Sequence, residues 1–255
     1  MPAVFVHGVP ETARVWDPLL VQLSRSDTVA LSLPGFEAPR PEGFGATKEE
    51  YVDWLVGELE ELRSAGPVDL VGHDWGGGFV VRLVSLRPDL VRSWVTDAAG
   101  VGGVDFEWHE TAKLWQTPEA GEAFFAQNLA MSPEQRARVF ESFGIPPEHA
   151  IEMGGWPNEE MADTILRLYR SAIDVGSEWG PDFSDVATPG LVLVPSDDAF
   201  LGADGARRAA ARAGAEMAEL DGLGHWWMLQ DPRRGAGVLE GFWSSLGGTS
   251  APQPD

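Results

Sequence analysis

Gly72-His73-Asp74-Trp75-Gly76-Gly77 joins two segments of different hydrophobic period, and the way it joins them decides the fold. Ahead of it, Val68-Asp69-Leu70-Val71 is a short apolar run closed by Gly72; behind it, Phe79, Val80, Leu83, Val84 and Leu86 continue at helical spacing until Pro88. The spacing predicts strand, sharp turn and helix in that order. Such a turn forces unusual backbone angles on Asp74, and strand and helix approach closely only where flanking positions are small, as Gly72 and Gly76 are. The Asp74 side chain is thereby pushed into a cleft. A hydroxyl nucleophile there would attack a carbonyl; a carboxylate is a weak acyl nucleophile, but it can displace at an electrophilic sp3 carbon and form an ester. Water must then cleave that ester.

Ester cleavage needs a base to activate water, an acid to orient the base, and donors for the oxyanion. His225, in Asp221-Gly222-Leu223-Gly224-His225-Trp226-Trp227, follows the strand-like Glu216 to Leu220 and is the candidate base. Asp198 follows the apolar run Leu191 to Val194 and is the preferred acid, with Asp97 as the alternative acid and Asp197 as a nearer rival. Nucleophile, acid and His then run in the chain order of α/β-hydrolases, not in that of chymotrypsin or subtilisin. The oxyanion donors would be the amides of Val9, in His7-Gly8-Val9-Pro10, and of Trp75, directly after the nucleophile.

The rest of the chain alternates in the same way. Ala3 to Val6 and Val29 to Leu33 read as strands, with a short helix over Trp16 to Ser24 between them. Thr47-Lys48-Glu49-Glu50 is a capping box opening a helix whose apolar face is Tyr51, Trp54, Leu55, Leu59 and Leu62. Ser93 to Thr96 is a further strand, after which the glycines at 100, 102 and 103 break the pattern. A region rich in Trp, Glu and Pro then interrupts the alternation over residues 105–180, which is expected to be a helical cap. Residues 1–104 and 181–246 form the core, with its last helix opened by Asp231-Pro232, and residues 247–255 read as a disordered tail.

On these residues the chain resembles the α/β-hydrolase superfamily, and within it the branch of epoxide hydrolases and haloalkane dehalogenases that share an Asp nucleophile. The resemblance spans nearly the whole chain. His7-Gly8-Val9-Pro10-Glu11 looks like the epoxide hydrolase oxyanion motif, and Gly72 to Gly77 matches that family's elbow residue for residue. Leu168-Tyr169-Arg170-Ser171-Ala172 resembles the cap motif whose Tyr protonates the opening epoxide. The resemblance implies an α/β-hydrolase fold, a mostly parallel sheet flanked by helices, here lacking the usual first two strands. It implies a hydrolase that opens a small apolar epoxide to a diol without a cofactor, with haloalkane dehalogenation as the alternative and a non-catalytic ligand-binding protein as a third reading. Epoxide hydrolases commonly carry a second cap Tyr, whereas this chain has only Tyr51 and Tyr169. A dehalogenase would instead need donors such as indole N–H groups, of which Trp75 supplies one. His7, Trp226, Trp108 and Phe124 are the expected pocket residues. Packing alone would also account for Tyr169 and for most of the Trp residues. His109 reads as a surface or capping residue.

Composition narrows the partners. The net charge of −22, from 40 acidic against 18 basic residues, repels nucleic acid and anionic membranes. With no Cys there is no disulfide, thiolate nucleophile or Cys-ligated metal, and the five His do not fall at zinc spacing. The apolar start is too short for a signal peptide, and no run reaches membrane-spanning length. The expectation is a cytoplasmic monomer or homodimer acting on a small apolar organic substrate, with no metal.

Overall fold

The computed structural model describes residues 1–62 and 66–247. Six strands form one sheet: β1 (Ala3–Val6), β2 (Thr28–Leu31), β3 (Val68–Gly72), β4 (Val91–Thr96), β5 (Gly190–Pro195) and β6 (Glu216–Leu220). Their order is β2-β1-β3-β4-β5-β6, and every pairing is parallel. Parallel strands need crossovers, which α1 (Asp17–Leu20), α2 (Lys48–Leu62), α3 (Trp75–Leu86) and a long helical insertion provide. The insertion lies between β4 and β5 and holds α4 (Glu110–Gln116), α5 (Ala120–Ala130), α6 (Pro133–Ser142), α7 (Pro147–Gly154), α8 (Glu159–Ser171) and α9 (Val175–Trp179). After β5 come α10 (Ala203–Ala213), α11 (Trp227–Gln230) and α12 (Pro232–Gly247). Gly247, expected to begin the disordered tail, instead closes the last helix, and the rest of that tail, residues 248–255, lies outside the described residues.

Helices cover both faces of the sheet, so the inner strands are apolar throughout instead of alternating. Val4, Val6, Leu70, Trp94 and Val192 face the side packed by α2, α3 and α10. Ala3, Phe5, Val71, Val95 and Leu193 face the side that holds Trp16, Trp227 and Leu239. One carboxylate, Asp69 in β3, is fully buried at the N-terminal end of the strands. It is held by Arg25, Arg92 and Ser93 at 2.6–2.8 Å, which satisfies the charge it carries into the core.

The capping box forms as the sequence requires: Glu50 N–H donates to Thr47 Oγ1 (3.3 Å) and Thr47 N–H to Glu50 Oε2 (3.0 Å). Some boundaries differ, among them the start of β4, which lies at Val91 and not at Ser93. The segment after β1 starts earlier than Trp16, as a 3-10 turn over Ala13–Trp16 capped by Thr12, and its helix stops at Leu20. The second strand ends at Leu31 because β1 offers no further partner beyond Val6, and the Leu33 amide bonds a side chain instead.

The register places the site. β1 pairs with β3 from Ala3 opposite Asp69 to Val6 opposite Gly72, so the loops leaving these two strands emerge side by side. The chain passes from β1 outward to β2 and then returns to β3 on the other side, and the cleft where strand order reverses is where ligands of open α/β sheets bind.

Candidate active site

The expected groups of the core sit just past the C-terminal ends of strands: His7 to Glu11 after β1, Asp74 after β3, Asp97 after β4, Asp198 after β5 and His225 after β6. Asp74 adopts φ 50° and ψ −121°, a backbone conformation that costs energy for a residue with a Cβ. Its surroundings enforce that geometry. A Cβ on Gly76 would stand 2.2 Å from the Val6 carbonyl oxygen, and one on Gly72 would stand 2.4 Å from that of Gly76. Only hydrogen fits at either position.

The Asp74 carboxylate is 15 % exposed and lies between an amide and an imidazole. Val9 N–H donates to Oδ1 at 2.9 Å, while His225 Nε2 lies 3.7 Å from Oδ2. Of the two amides expected to serve an oxyanion, Val9 already contacts the carboxylate; the Trp75 amide opens α3 immediately after Asp74. Behind His225, Nδ1–H donates to Asp198 Oδ2 at 2.9 Å. Asp198 is fixed in turn by the amides of Phe200 (2.7 Å) and Leu201 (3.0 Å) on its other oxygen. Asp198 thus orients the ring so that Nε2 faces the Asp74 carboxylate. Asp197 has its carboxylate on the Ser196 hydroxyl.

Asp97, the alternative acid, is engaged elsewhere. Its Oδ1 accepts the Asp74 amide (2.9 Å), and its Oδ2 accepts His73 Nδ1–H (2.5 Å) and the Trp227 indole N–H (2.8 Å). β4 and β3 are neighbours, so a carboxylate after β4 reaches the elbow backbone and not the His225 ring. The other nitrogen of His73 bonds Glu11 Oε1 at 3.1 Å. Glu11 also accepts the Gly8 amide (3.2 Å) and the Trp226 indole N–H. These groups tie the loop after β1 to the elbow through one buried, fully bonded ring.

Burial raises the Asp74 carboxyl to about 6, against the opposing pull of the His225 and His73 rings. Burial also works against charge on His73, but the carboxylates of Asp97 and Glu11 prevail and hold it protonated well above the ordinary histidine range. For Glu11 the desolvation is likewise overcome by His73, which brings it to about 2. Burial is the largest single influence on His225 and lowers it, but the charge and hydrogen bond of Asp198 together with the charge of Asp74 prevail and leave the ring raised. Glu11, His73 and His225 offer ligand atoms within 4.8 Å of one another, the grouping among the described residues that comes nearest to a cation site. Both nitrogens of His73 are already given to carboxylates, which leaves that ring no lone pair for a metal.

His7 is not a pocket residue. It is fully buried, its Nδ1–H donates to the Gly8 carbonyl (2.8 Å), and its Nε2 accepts the Leu33 amide (3.1 Å). Burial lowers it to about 4, so the neutral ring braces the loop instead of meeting a ligand. The other pocket candidates do line cavities. A space of about 10 Å³, room for a single water, is bounded by Asp74, Trp75, Trp108, His109 and Phe200. A larger apolar chamber of about 260 Å³ within the helical insertion is bounded by Trp115, Phe124, Phe140, Phe200 and Trp226. The Phe200 ring stands on both, and sequence reasoning gave it no role although it follows Asp198 by two residues. Nor did it give a role to Glu11 or His73; the available signal was that each lies in one of two motifs carried on adjacent parallel strands.

Tyr169, on α8, is buried with its ring 5.5 Å from Trp75, 5.2 Å from Trp108 and 4.9 Å from Trp115. Burial, and next the negative charge of Asp74, raise its phenol well above the usual range. The Trp108 indole donates to the Ala172 carbonyl (2.8 Å). The Trp75 and Trp115 indole N–H groups are buried without a hydrogen-bond partner of normal geometry.

Comparison with known proteins agrees with this architecture. The chain is 25 % identical over 198 residues to 2-(acetamidomethylene)succinate hydrolase of Mesorhizobium japonicum, an overlap of 74 % of this chain and 68 % of that one. Over 100 residues it is 39 % identical to epoxide hydrolase 2 of Siraitia grosvenorii, spanning 37 % of this chain and 31 % of the relative. The crystal structure of haloalkane dehalogenase DbeA from Bradyrhizobium elkani superposes with a TM-score of 0.74 at 22 % identity, covering 96 % of this chain and 91 % of that one, a likeness of fold. Residues 3–238 match the Alpha/beta hydrolase family, and the chain belongs to it.

Proposed function

We propose that this hydrolase opens a small apolar epoxide to a diol through a covalent ester on Asp74. The observation that carries the reading is the placement of the Asp74 carboxylate, one oxygen on the Val9 amide and the other facing a His225 ring backed by Asp198. An aspartate so placed attacks the less hindered ring carbon while the Tyr169 phenol gives its proton to the departing oxygen. Water activated by His225 then adds to the ester carbonyl, and the Val9 and Trp75 amides stabilise the oxyanion. The cavity that Asp74 lines and the apolar chamber that shares Phe200 with it support an apolar, uncharged substrate: neither includes Lys or Arg among its walls, and burying a carboxylate there would cost energy without a cation to offset it. The dicarboxylate named for the Mesorhizobium relative is therefore not the substrate we assign.

One turnover in heavy-oxygen water with enzyme in excess tests the route. The diol should carry ordinary oxygen and Asp74 should carry the label; label in the diol would mean direct attack by water. A second reading is favoured by the Trp75 indole, which lines the cavity of Asp74, and by the Trp115 indole N–H, buried without a hydrogen-bond partner, since such donors suit a departing halide. Tyr169→Phe separates the two: epoxide opening should fall by about 100-fold or more, the range for a lost general acid, and haloalkane turnover should stay within about threefold.

A further inference from the structure

We infer that His109 is a second donor to the leaving oxygen, its Nε2–H hydrogen-bonding the epoxide oxygen as Tyr169 protonates it. This role rests on the proposed epoxide opening and adds a residue to it. His109 precedes α4 and caps it, with its Nδ1 accepting the Ala112 amide at 3.2 Å. A backbone N–H can only donate, so Nδ1 must be the bare nitrogen. In the neutral ring the proton therefore lies on Nε2, and the cap selects the tautomer. Burial lowers the ring to about 4, with the charge of His225 next in effect, so this neutral form prevails at physiological pH.

The edge of the ring opposite the cap is the one left for a ligand. His109 and Asp74 line the same small cavity, with Trp75, Trp108 and Phe200 completing it. The ring is held there by an edge contact with Phe200, centroids 5.3 Å apart, and Phe200 is in turn 5.0 Å from the His225 ring. Among the described residues Nε2 has no hydrogen-bond partner. A fixed N–H, on a ring beside the nucleophile, is what charge developing on an alkoxide requires.

The step balances without further reagents. An Asp74 oxygen forms a bond to carbon, the ring C–O bond breaks, and its electron pair goes to the oxygen, which takes the Tyr169 proton. His109 keeps its own proton and only shares it. Of the two Tyr residues of the chain, Tyr51 donates its hydroxyl to the Pro34 carbonyl and is thereby engaged.

The test uses the His225→Gln background, in which ester accumulates, with styrene oxide as probe and intact mass as readout. His109→Asn keeps an oxygen at the capping position and deletes Nε2–H; it should slow ester formation by about 10- to 100-fold with an unchanged Tm. His109→Gln, which carries an N–H near the Nε2 position but gives up the cap, should recover most of that rate at a lowered Tm. Ester formation in His109→Asn at the parent rate overturns the role. If the parent itself forms no ester with a panel of terminal epoxides, the Asp74 mechanism fails and this role fails with it.

Discussion

Asp74→Asn should lower kcat by about 10⁴-fold or more, the scale seen when the nucleophile of a concerted group is removed, as measured by diol release from a terminal epoxide. An amide oxygen still accepts the Val9 N–H but carries no charge with which to attack carbon. Misfolding is excluded by a stability measurement whose sign is opposite to that of a damaged protein. The folded Asp74 carboxyl titrates at about 6 against an ordinary 3.8, so in this window the native state holds a proton that the unfolded chain releases. A carboxyl raised in this way contributes most to stability at low pH, and that contribution is lost as pH rises through about 6. Above the window the native state has given up as much as roughly 3 kcal/mol, from about two pKa units at 1.36 kcal/mol each. Asparagine never incurs that loss, so the inactive variant should melt higher than wild type at pH 8 and lose this advantage near pH 4. The same titration predicts that ester formation by wild type falls with pH below about 6, as the nucleophile becomes protonated. An Asp74→Asn protein that retains turnover would remove the nucleophile from the scheme.

His225→Gln should leave ester formation running and slow ester hydrolysis by about 10²- to 10⁴-fold, so that a single substrate mass accumulates on the intact protein and maps to Asp74. The separation follows from the geometry. His225 Nε2 stands 3.7 Å from Asp74 Oδ2, a gap too long for a hydrogen bond and close enough for charge to be felt. Burial lowers the His225 ring, and the charge and hydrogen bond of Asp198 together with the Asp74 charge overcome it and raise the ring. Ester formation neutralises Asp74, removes that contribution and makes His225 readier to give up its proton. Under the proposed route the base would thus be released at the step that needs it. Normal turnover by His225→Gln would mean that another group activates the water.

Local sequence carried much of the core. The Gly72 to Gly77 elbow is legible because its strand, its glycines and its helix are contiguous, and no distant residue changes that requirement. Likewise Thr47 and Glu50 close their box within one turn of helix, so pattern and structure coincide. Asp198 and His225 could be named because each follows a strand in the expected chain order, and the sheet places those strand ends side by side.

What the sequence by itself determined, then, is the parallel α/β architecture and the identity of the residues that emerge at its C-terminal edge, because hydrophobic period and turn chemistry act over a few residues. Only the tertiary structure decided which of those residues meet. It gave Asp97 to His73 and the elbow, closed His7 onto backbone atoms, joined Glu11 to His73, and set Phe200 and His109 at the walls of the cavity beside Asp74. Those pairings depend on strand order and on the path of the helices inserted after β4. Side chains far apart in the chain compete there for the same buried donors and acceptors, and a hydrogen bond is won by the group within about 3 Å, a distance that sequence spacing does not encode.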